Sequence, residues 1–469
     1  MPVLPCQANL FLERKSLLQF LSGCQQNCRS RNSTQLVSIS LEIELIDPLI
    51  ILQLAKPDEL SFYLENKSKG EAIAAIGALD KLQLSGEINR FERVQEFINS
   101  YLVNPITIGA TELFSGPHFF CSFSFFAEHS QTDYPFPTAT VFLPQWHVAT
   151  RHNRSILVVN LVINSEVNVE IIAQELCDRI EVIKAANTSN MMSDRQQEFI
   201  KISEINPNNF KRAVLSSLAS INSNDLSKIV IAQALDVSSR QPFRLFQSLN
   251  NLRILHPDCY IFSLSNGKGQ NFIGASPERL LGIHNQELTT DALAGSAPRG
   301  KTVAEDGELA ARLLNSEKER HEHQVVIDFI TQRLEKLGLV PQMLTPQLRQ
   351  LANIQHLWTP IRAKVPTNVQ PLDIVAQLHP TPAVAGAAGD VACAEIRRYE
   401  SFERGLYAAP LGWIDYRNNG EFIVGIRSAL IDGDRARLYA GAGIVAGSDP
   451  DKELAEIQLK LQALLKALI

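Results

Sequence analysis

The sequence predicts an α+β protein built on antiparallel sheet. Two observations carry that reading. Strand-like runs are many and follow one another across short turn-forming segments, such as NGKGQ at 266–270, which suits hairpins. Long helical stretches are few and do not alternate with strands in the way a doubly wound sheet requires.

Taken in order, the first 205 residues carry weak signals. FFCSFSFFAEH at 119–129, TATVFLPQWHVAT at 138–150 and SILVVNLVI at 155–163 are rich in aromatic and β-branched residues and read as strands. From 164 to 206 the text turns polar and helical, and the turn-forming NPNN at 206–209 marks the boundary between an N-terminal portion, 1–205, and a catalytic region, 206–469. KRAVLSSLASI then reads as a helix, SKIVIAQALDV as a strand, and CYIFSLS and NFIGASPERLLGIH as two strands. Asp306 to Lys336 reads as one long helix, with Leu309, Leu313, Val326, Phe329, Ile330 and Leu334 among its apolar positions. HPTPAVAGAAG at 379–389 is a loop, and LGWIDY, EFIVGIRSALI and ARLYAGAGIV are further strands. A closing helix starts near Pro450, with an apolar stripe of Leu454, Ile457, Leu461, Leu464 and Leu468.

Composition narrows the function classes. The 469 residues are 45% apolar and 20% charged, which is globular and large enough for one big domain or several ordinary ones. A formal charge of -6 with no dense Lys/Arg block argues against a nucleic-acid surface and for a small-molecule partner. No apolar run is long enough to span a membrane, and the N-terminus lacks a clean signal-peptide core, so a cytoplasmic protein is expected. The seven cysteines include no CxxC pair, so reduced thiols are expected instead of a zinc ribbon or redox dithiol.

Chemistry concentrates first on Lys228 and Glu278. Lys228 opens the apolar run Ile229, Val230, Ile231, Ala232, which would carry its amine toward the interior, where lost hydration favours the neutral base. Glu278 follows Ser276 and Pro277 at the end of a strand-like run, where burial would hold a carboxyl protonated. A base and an acid pushed apart in this way make a matched couple if the fold brings them together.

Two helices carry carboxylates at one spacing. Glu319 and Glu322 share a face, as do Glu453 and Glu456, with Lys460 one turn beyond. An ordinary solvated face is the plainer explanation. The functional alternative is a hard divalent cation such as Mg2+, which binds few protein oxygens and leaves positions for a substrate carboxylate. His321 and His323 lie two residues apart on different helix faces, so they read as surface or structural and not as zinc ligands. Gly441, Gly443 and Ala446 fit the letters of a dinucleotide fingerprint, but the chain lacks the βαβ unit that motif needs. Gly-rich backbone there can still offer N–H groups to a carboxylate, and Arg427 offers a fork for one, unless it serves a structural ion pair.

SKIVIAQ, FIGASPERLL, ALAGSAPRG, SEKERHEHQVVID, LHPTPAVAG, RGLYAAPLGWID, FIVGIRSALI and AGAGIVAGSDPDKE, in this order over about residues 225–460, resemble the chorismate-utilising enzymes, and within them isochorismate synthase. The resemblance implies one α+β fold of large antiparallel sheets packed as a sandwich-like core with helices outside, so that the boundary near 205 is a seam. It implies that Lys228 activates water for attack at C2 of chorismate and that Glu278 protonates the departing C4 hydroxyl. It gives Glu322 and Glu456 to Mg2+, with Glu319 and Glu453 close behind. The substrate would be held by Arg427, the Gly441, Ala442 and Gly443 backbone, Tyr407, Ser296 and His356, with Lys460 at the metal end.

Single positions discriminate within the resemblance. Anthranilate synthases carry glutamine in the place of Lys228, and aminodeoxychorismate synthases a nucleophilic lysine in the place of Ala294. Lysine at 228 and alanine at 294 therefore imply water as the attacking group and no amidotransferase subunit, in an enzyme expected to act as a monomer, feeding a menaquinone or phylloquinone pathway. Salicylate synthases, which keep both Lys and Glu and then eliminate pyruvate, are the alternative, and a catalytically idle chorismate-binding protein is another. Gln233 in place of the family's arginine, Ser296 in place of threonine, and AGDVACAEI after the HPT loop depart from the pattern.

Overall fold

The computed structural model describes residues 14–130, 133–186, 199–202, 207–223, 226–351 and 354–468. The predicted boundary near 205 lies outside the described residues.

Among the described residues, twenty strands form one hydrogen-bonded set with eleven α-helices around it. Of the strand pairings described, only Gln35–Ile43 with Ile106–Gly109 is parallel. The set divides into two arms at a pair of long strands, Glu71–Leu84 and Ala139–Arg151, whose register breaks between Ala78 and Asp80. On one side of the break these strands continue through Leu60–Asn66, Tyr260–Asn266, Gln270–Ser276, Ser428–Asp432 and Arg435–Val445 to Lys228–Ser239. On the other side they continue through His118–Phe123, Pro410–Asp415, Gly420–Val424, Arg279–His284 and Glu287–Pro298 to Ile354–Lys364. Both arms therefore mix strands from before and after residue 205.

The chain passes from one arm to the other at two adjacent places, and these correct the sequence reading. NFIGASPERLLGIH is not one strand but two, Gln270–Ser276 and Arg279–His284, broken at Pro277 and Glu278. EFIVGIRSALI likewise splits into Gly420–Val424 and Ser428–Asp432, so Arg427 sits between strands and not within one. Proline cannot donate to a ladder, which ends the first strand, and Arg427 takes a left-handed backbone with φ 49° that no strand accommodates. The crossings are tied together: Ser276 Oγ donates to the Val424 carbonyl at 2.6 Å, Val424 N to the Glu278 carbonyl at 3.1 Å, and Ala275 N to the Arg427 carbonyl at 3.1 Å.

The stretch Asp306–Lys336 is also not one helix. It divides into Val303–Asn315 and Glu317–Lys336, because Ser316 adopts an extended backbone and its side chain caps the second helix by accepting from Glu319 N. The closing helix, Pro450–Ala467, buries the expected stripe, with Leu454, Ile457, Leu461, Leu464 and Leu468 each at most 7% exposed. At ~1.5–3 kcal/mol per buried side chain, that stripe fixes which face of the helix meets the sheet. The six described cysteines are all free thiols.

Candidate active site

Lys228 is the first residue of the strand Lys228–Ser239 and is 4% exposed. One edge of that strand pairs with Arg435–Val445. The HPTPAVAG loop docks on the other edge, where Val230 N donates to the Ala385 carbonyl at 2.9 Å and Ala387 N to the Lys228 carbonyl at 3.0 Å. Gly386 makes this approach possible: its φ is 136°, and a Cβ there would run into the Lys228 carbonyl oxygen. Behind the strand, Arg404 is 1% exposed and donates to the Val230 and Val384 carbonyls at 2.8 and 2.9 Å. Its charge is matched by Glu400 at 2.6 Å, which in turn accepts from Ala232 N at 2.7 Å. One buried ion pair thus fixes strand and loop to each other.

Glu278 occupies the first crossing and is buried. Burial pushes its carboxyl up to about 7, against the pull of the Lys228 charge. The two groups that sequence alone could not bring together line a single cavity of ≈ 130 Å³. Arg427, from the second crossing, lines the same cavity, and among the described residues no carboxylate pairs with it. The structural ion pair that was its alternative reading is not found there.

The cavity floor comes from the strand Arg435–Val445. Tyr439, Gly441 and Gly443 present one face to it, and Tyr407 stacks on Tyr439 with centroids 5.2 Å apart. A Cβ on Gly441 would meet the Tyr407 hydroxyl at 2.7 Å, so glycine is what lets the ring close over the backbone. Ala442, by strand alternation, turns its side chain away and does not line the cavity. A bulge between Ala294 and Ser296 opens the opposite strand, with Gly295 at φ 76°. It sends Ser296 N to Glu319 Oε2 at 3.1 Å and sets Ser296 Oγ 2.9 Å from His356 Nδ1. Burial and the nearby Arg427 and Lys460 charges push His356 down to about 3, so its ring stays neutral.

Of the four predicted metal-site glutamates, Glu322 and Glu456 line the cavity, and Glu319 and Glu453 do not. Glu322 Oε1 accepts from Lys228 Nζ at 2.6 Å; burial raises its carboxyl, but the lysine's charge and hydrogen bond leave it below the ordinary range. Glu456 pairs with Lys460 at 2.7 Å, and Lys460 also donates to the Gly441 carbonyl at 2.8 Å. Glu319 and Glu453 are both raised, first by burial, with the neighbouring Glu322 and Glu456 adding to the rise. Among the described residues no three carboxylate, imidazole or thiol groups converge to enclose a metal. Two oxygen donors facing one cavity, each backed by a second carboxylate, suit a hard cation that takes few protein ligands. His323 is buried with Nε2 2.8 Å from Thr359 Oγ1, and His321 is exposed.

The sequence matches the family of chorismate binding enzymes over residues 21–469. The chain belongs to that family. It is 30% identical over 470 residues to the isochorismate synthase MenF of Bacillus subtilis, covering 97% of each chain. It is 42% identical over 258 residues to the salicylate biosynthesis isochorismate synthase of Pseudomonas aeruginosa, a match to 54% of this chain and 53% of that protein, or about half its length. The fold superposes on the solved structure of the menaquinone-specific isochorismate synthase MenF of Escherichia coli with TM-score 0.77 at 24% identity, covering 97% of this chain and 99% of that one.

In this chorismate binding enzyme the site contains residues to which sequence reasoning gave no role. Arg404 lay within a quoted motif, but an arginine before a glycine carries no sign of burial, and Glu400, four residues before it, is its only hint. Tyr439 and Val384 also wall the cavity, and nothing in their sequence surroundings singles them out.

Proposed function

We propose that the protein is an isochorismate synthase that adds water at C2 of chorismate and removes the C4 hydroxyl. The observation that carries the reading is the placement of a buried amine, Lys228, and a buried, raised acid, Glu278, on one cavity, with Ala294 and no second amine on the facing strand. Lys228, in its uncharged form, takes a proton from the attacking water as its oxygen bonds to C2. The ring double bonds shift, the C4–O bond breaks, and Glu278 gives its proton to the leaving hydroxyl, which departs as water. One water enters and one leaves, so no oxidant or amine donor is needed. A carboxyl already protonated near pH 7 is suited to that second transfer.

Arg427 and the Gly441–Gly443 backbone hold the side-chain carboxylate of the substrate, and Tyr407, Ser296 and His356 bound the ring. Glu322 and Glu456 would hold Mg2+, backed by Glu319 and Glu453; when bound it would neutralise and orient the ring carboxylate. The near-full-length likeness to the isochorismate synthase MenF of Bacillus subtilis supports isochorismate formation, which we place in quinone biosynthesis. No described helix is long and apolar enough to cross a membrane.

The test is to give purified protein chorismate and Mg2+ and to separate the products. Isochorismate alone is the expected result. Salicylate with pyruvate would move the protein to the salicylate synthases, and unchanged chorismate would leave a binding protein.

A further inference from the structure

A second depression opens beside the catalytic cavity and shares four of its residues: Ser296, Arg427, Glu456 and Lys460. It is a groove of ≈ 410 Å³, roomier than the cavity of ≈ 130 Å³ that it adjoins. Its outer wall is one face of the closing helix. Lys452, Ala455, Glu456, Leu459, Lys460 and Ala463 recur at helical spacing beside the buried stripe. Pro298 and Ile354 form the opposite side.

Its chemistry differs from that of the chain as a whole. The protein carries a formal charge of -6, yet this groove sets the cations Arg427, Lys452 and Lys460 against the single carboxylate Glu456. His256, also in the lining, is pushed down to about 4 by burial and by the Arg427 charge, so it adds no compensating charge at neutral pH. Lys452 is exposed at the outer end, Lys460 is half-buried where groove and cavity meet, and Arg427 reaches both spaces. Leu459, 62% exposed, gives the rim an apolar surface that no packing in the fold explains.

We infer that this groove is the approach route for a small dianionic ring compound, and that Lys452 and Leu459 act before chemistry, the first by drawing in its carboxylates and the second by bordering its ring. A cleft lined by one sign of charge raises association ~10–1,000-fold, an effect that falls with ionic strength. The cations are graded from the surface inward, so a carboxylate passes from Lys452 to Lys460 and Arg427 without crossing unscreened apolar wall. Neither Lys452 nor Leu459 lines the catalytic cavity. The inference rests on the proposed reading of that cavity as a chorismate site.

The experiment uses the full chain with chorismate and Mg2+, comparing wild type, Lys452→Glu, Leu459→Trp and the control Lys466→Glu, which makes the same charge change at an exposed position of the same helix outside the groove. Lys452→Glu is expected to lower kcat/KM about 3–10-fold with kcat unchanged, and to flatten its dependence on ionic strength. Leu459→Trp is expected to lower kcat/KM, and Lys466→Glu to leave it within about twofold of wild type, as a screened surface charge should. Wild-type turnover with kcat/KM unaltered in both groove variants, or lowered equally by the control, overturns the groove and leaves the activity standing. Absence of wild-type turnover overturns the activity and the groove with it.

Discussion

Lys228 Nζ donates to Glu322 Oε1 at 2.6 Å, with both side chains largely sealed from solvent. This pair joins the start of the strand Lys228–Ser239 to a helix that packs outside the sheet, and it also forms part of the cavity wall. It places the proposed base in contact with a proposed metal carboxylate, so the two functions are coupled through one oxygen.

Lys228→Ala is expected to reduce turnover by at least about a hundredfold, the usual contribution of a positioned general base. It should also lower stability, because Glu322 would remain buried beside Glu319 without its cation, and breaking a buried pair costs about 3–5 kcal/mol. Product assays and thermal melts check the two effects together. A variant with near-normal turnover would remove Lys228 from the mechanism even if its melting temperature fell.

Glu278 should set the alkaline side of the pH profile. Its folded value of about 7 lies above the ordinary 4.5, so the protonated form is the one the fold favours. The acid is fully available below that value and is lost as pH rises through 7, and kcat/KM should fall about tenfold per unit beyond it. By the same linkage, this carboxyl's contribution to stability is fully present below 4.5 and fades as pH passes 7. Glu278→Gln should lose at least about a hundredfold in kcat. A wild-type profile flat from pH 6 to 9 would rule out Glu278 as the group that titrates.

The fold class and most strands were legible because aromatic and β-branched runs, here His118–Phe123 and Arg154–Ile163, mark buried sheet plainly. The two crossings at Pro277–Glu278 and Gly425–Arg427 were not, since both flanks are apolar and periodicity does not register a change of sheet. Yet those crossings are what place the acid and the carboxylate fork at the site. The break at Ser316 was overlooked for a different reason: the apolar period continues across it, and only the serine before Glu317 and Glu319 marks a cap. Lys228 stood out because a lysine among Ile229, Val230 and Ile231 has no bland explanation, whereas Arg404 depends on Val230 and Val384 carbonyls that only the folded chain brings near.

Chelation should stop turnover and added Mg2+ restore it. A second readout does not depend on activity: Mg2+ should raise the melting temperature of wild type, by the free energy of binding to the folded state alone. Glu322→Gln and Glu456→Gln should each weaken that rise. Full turnover in chelator, or an equal Mg2+-dependent rise in both variants, would dismiss these glutamates as the cation's ligands.

Arg404 should separate charge from geometry. Arg404→Met leaves Glu400 buried and unpaired, and a loss of about 3–5 kcal/mol is expected by chemical denaturation. Arg404→Lys keeps the charge but cannot span the Val230 and Val384 carbonyls together with both Glu400 oxygens. It should therefore fold, while kcat falls more than KM changes, since the strand holding Lys228 loses its tie to the loop. Wild-type kcat in Arg404→Lys at matched folded fraction would refute the geometric part of this role.

Gly386→Ala probes the contact that the sequence presented only as a Pro/Gly/Ala loop. The residue sits at φ 136°, a conformation costly for any side chain, and its missing Cβ is what allows Ala387 N to reach the Lys228 carbonyl at 3.0 Å. A methyl group must either push that carbonyl away or lift the loop, and each movement displaces the start of the strand on which the Lys228 amine depends. The expected result is a loss of at least about 1–3 kcal/mol in stability, the range for a strained backbone position, together with a drop in kcat. The same substitution at Gly389, where a Cβ meets open space, should leave both near wild type. If the two alanine variants behave alike in kcat and melting temperature, the loop does not position Lys228 and its closeness to the strand is incidental.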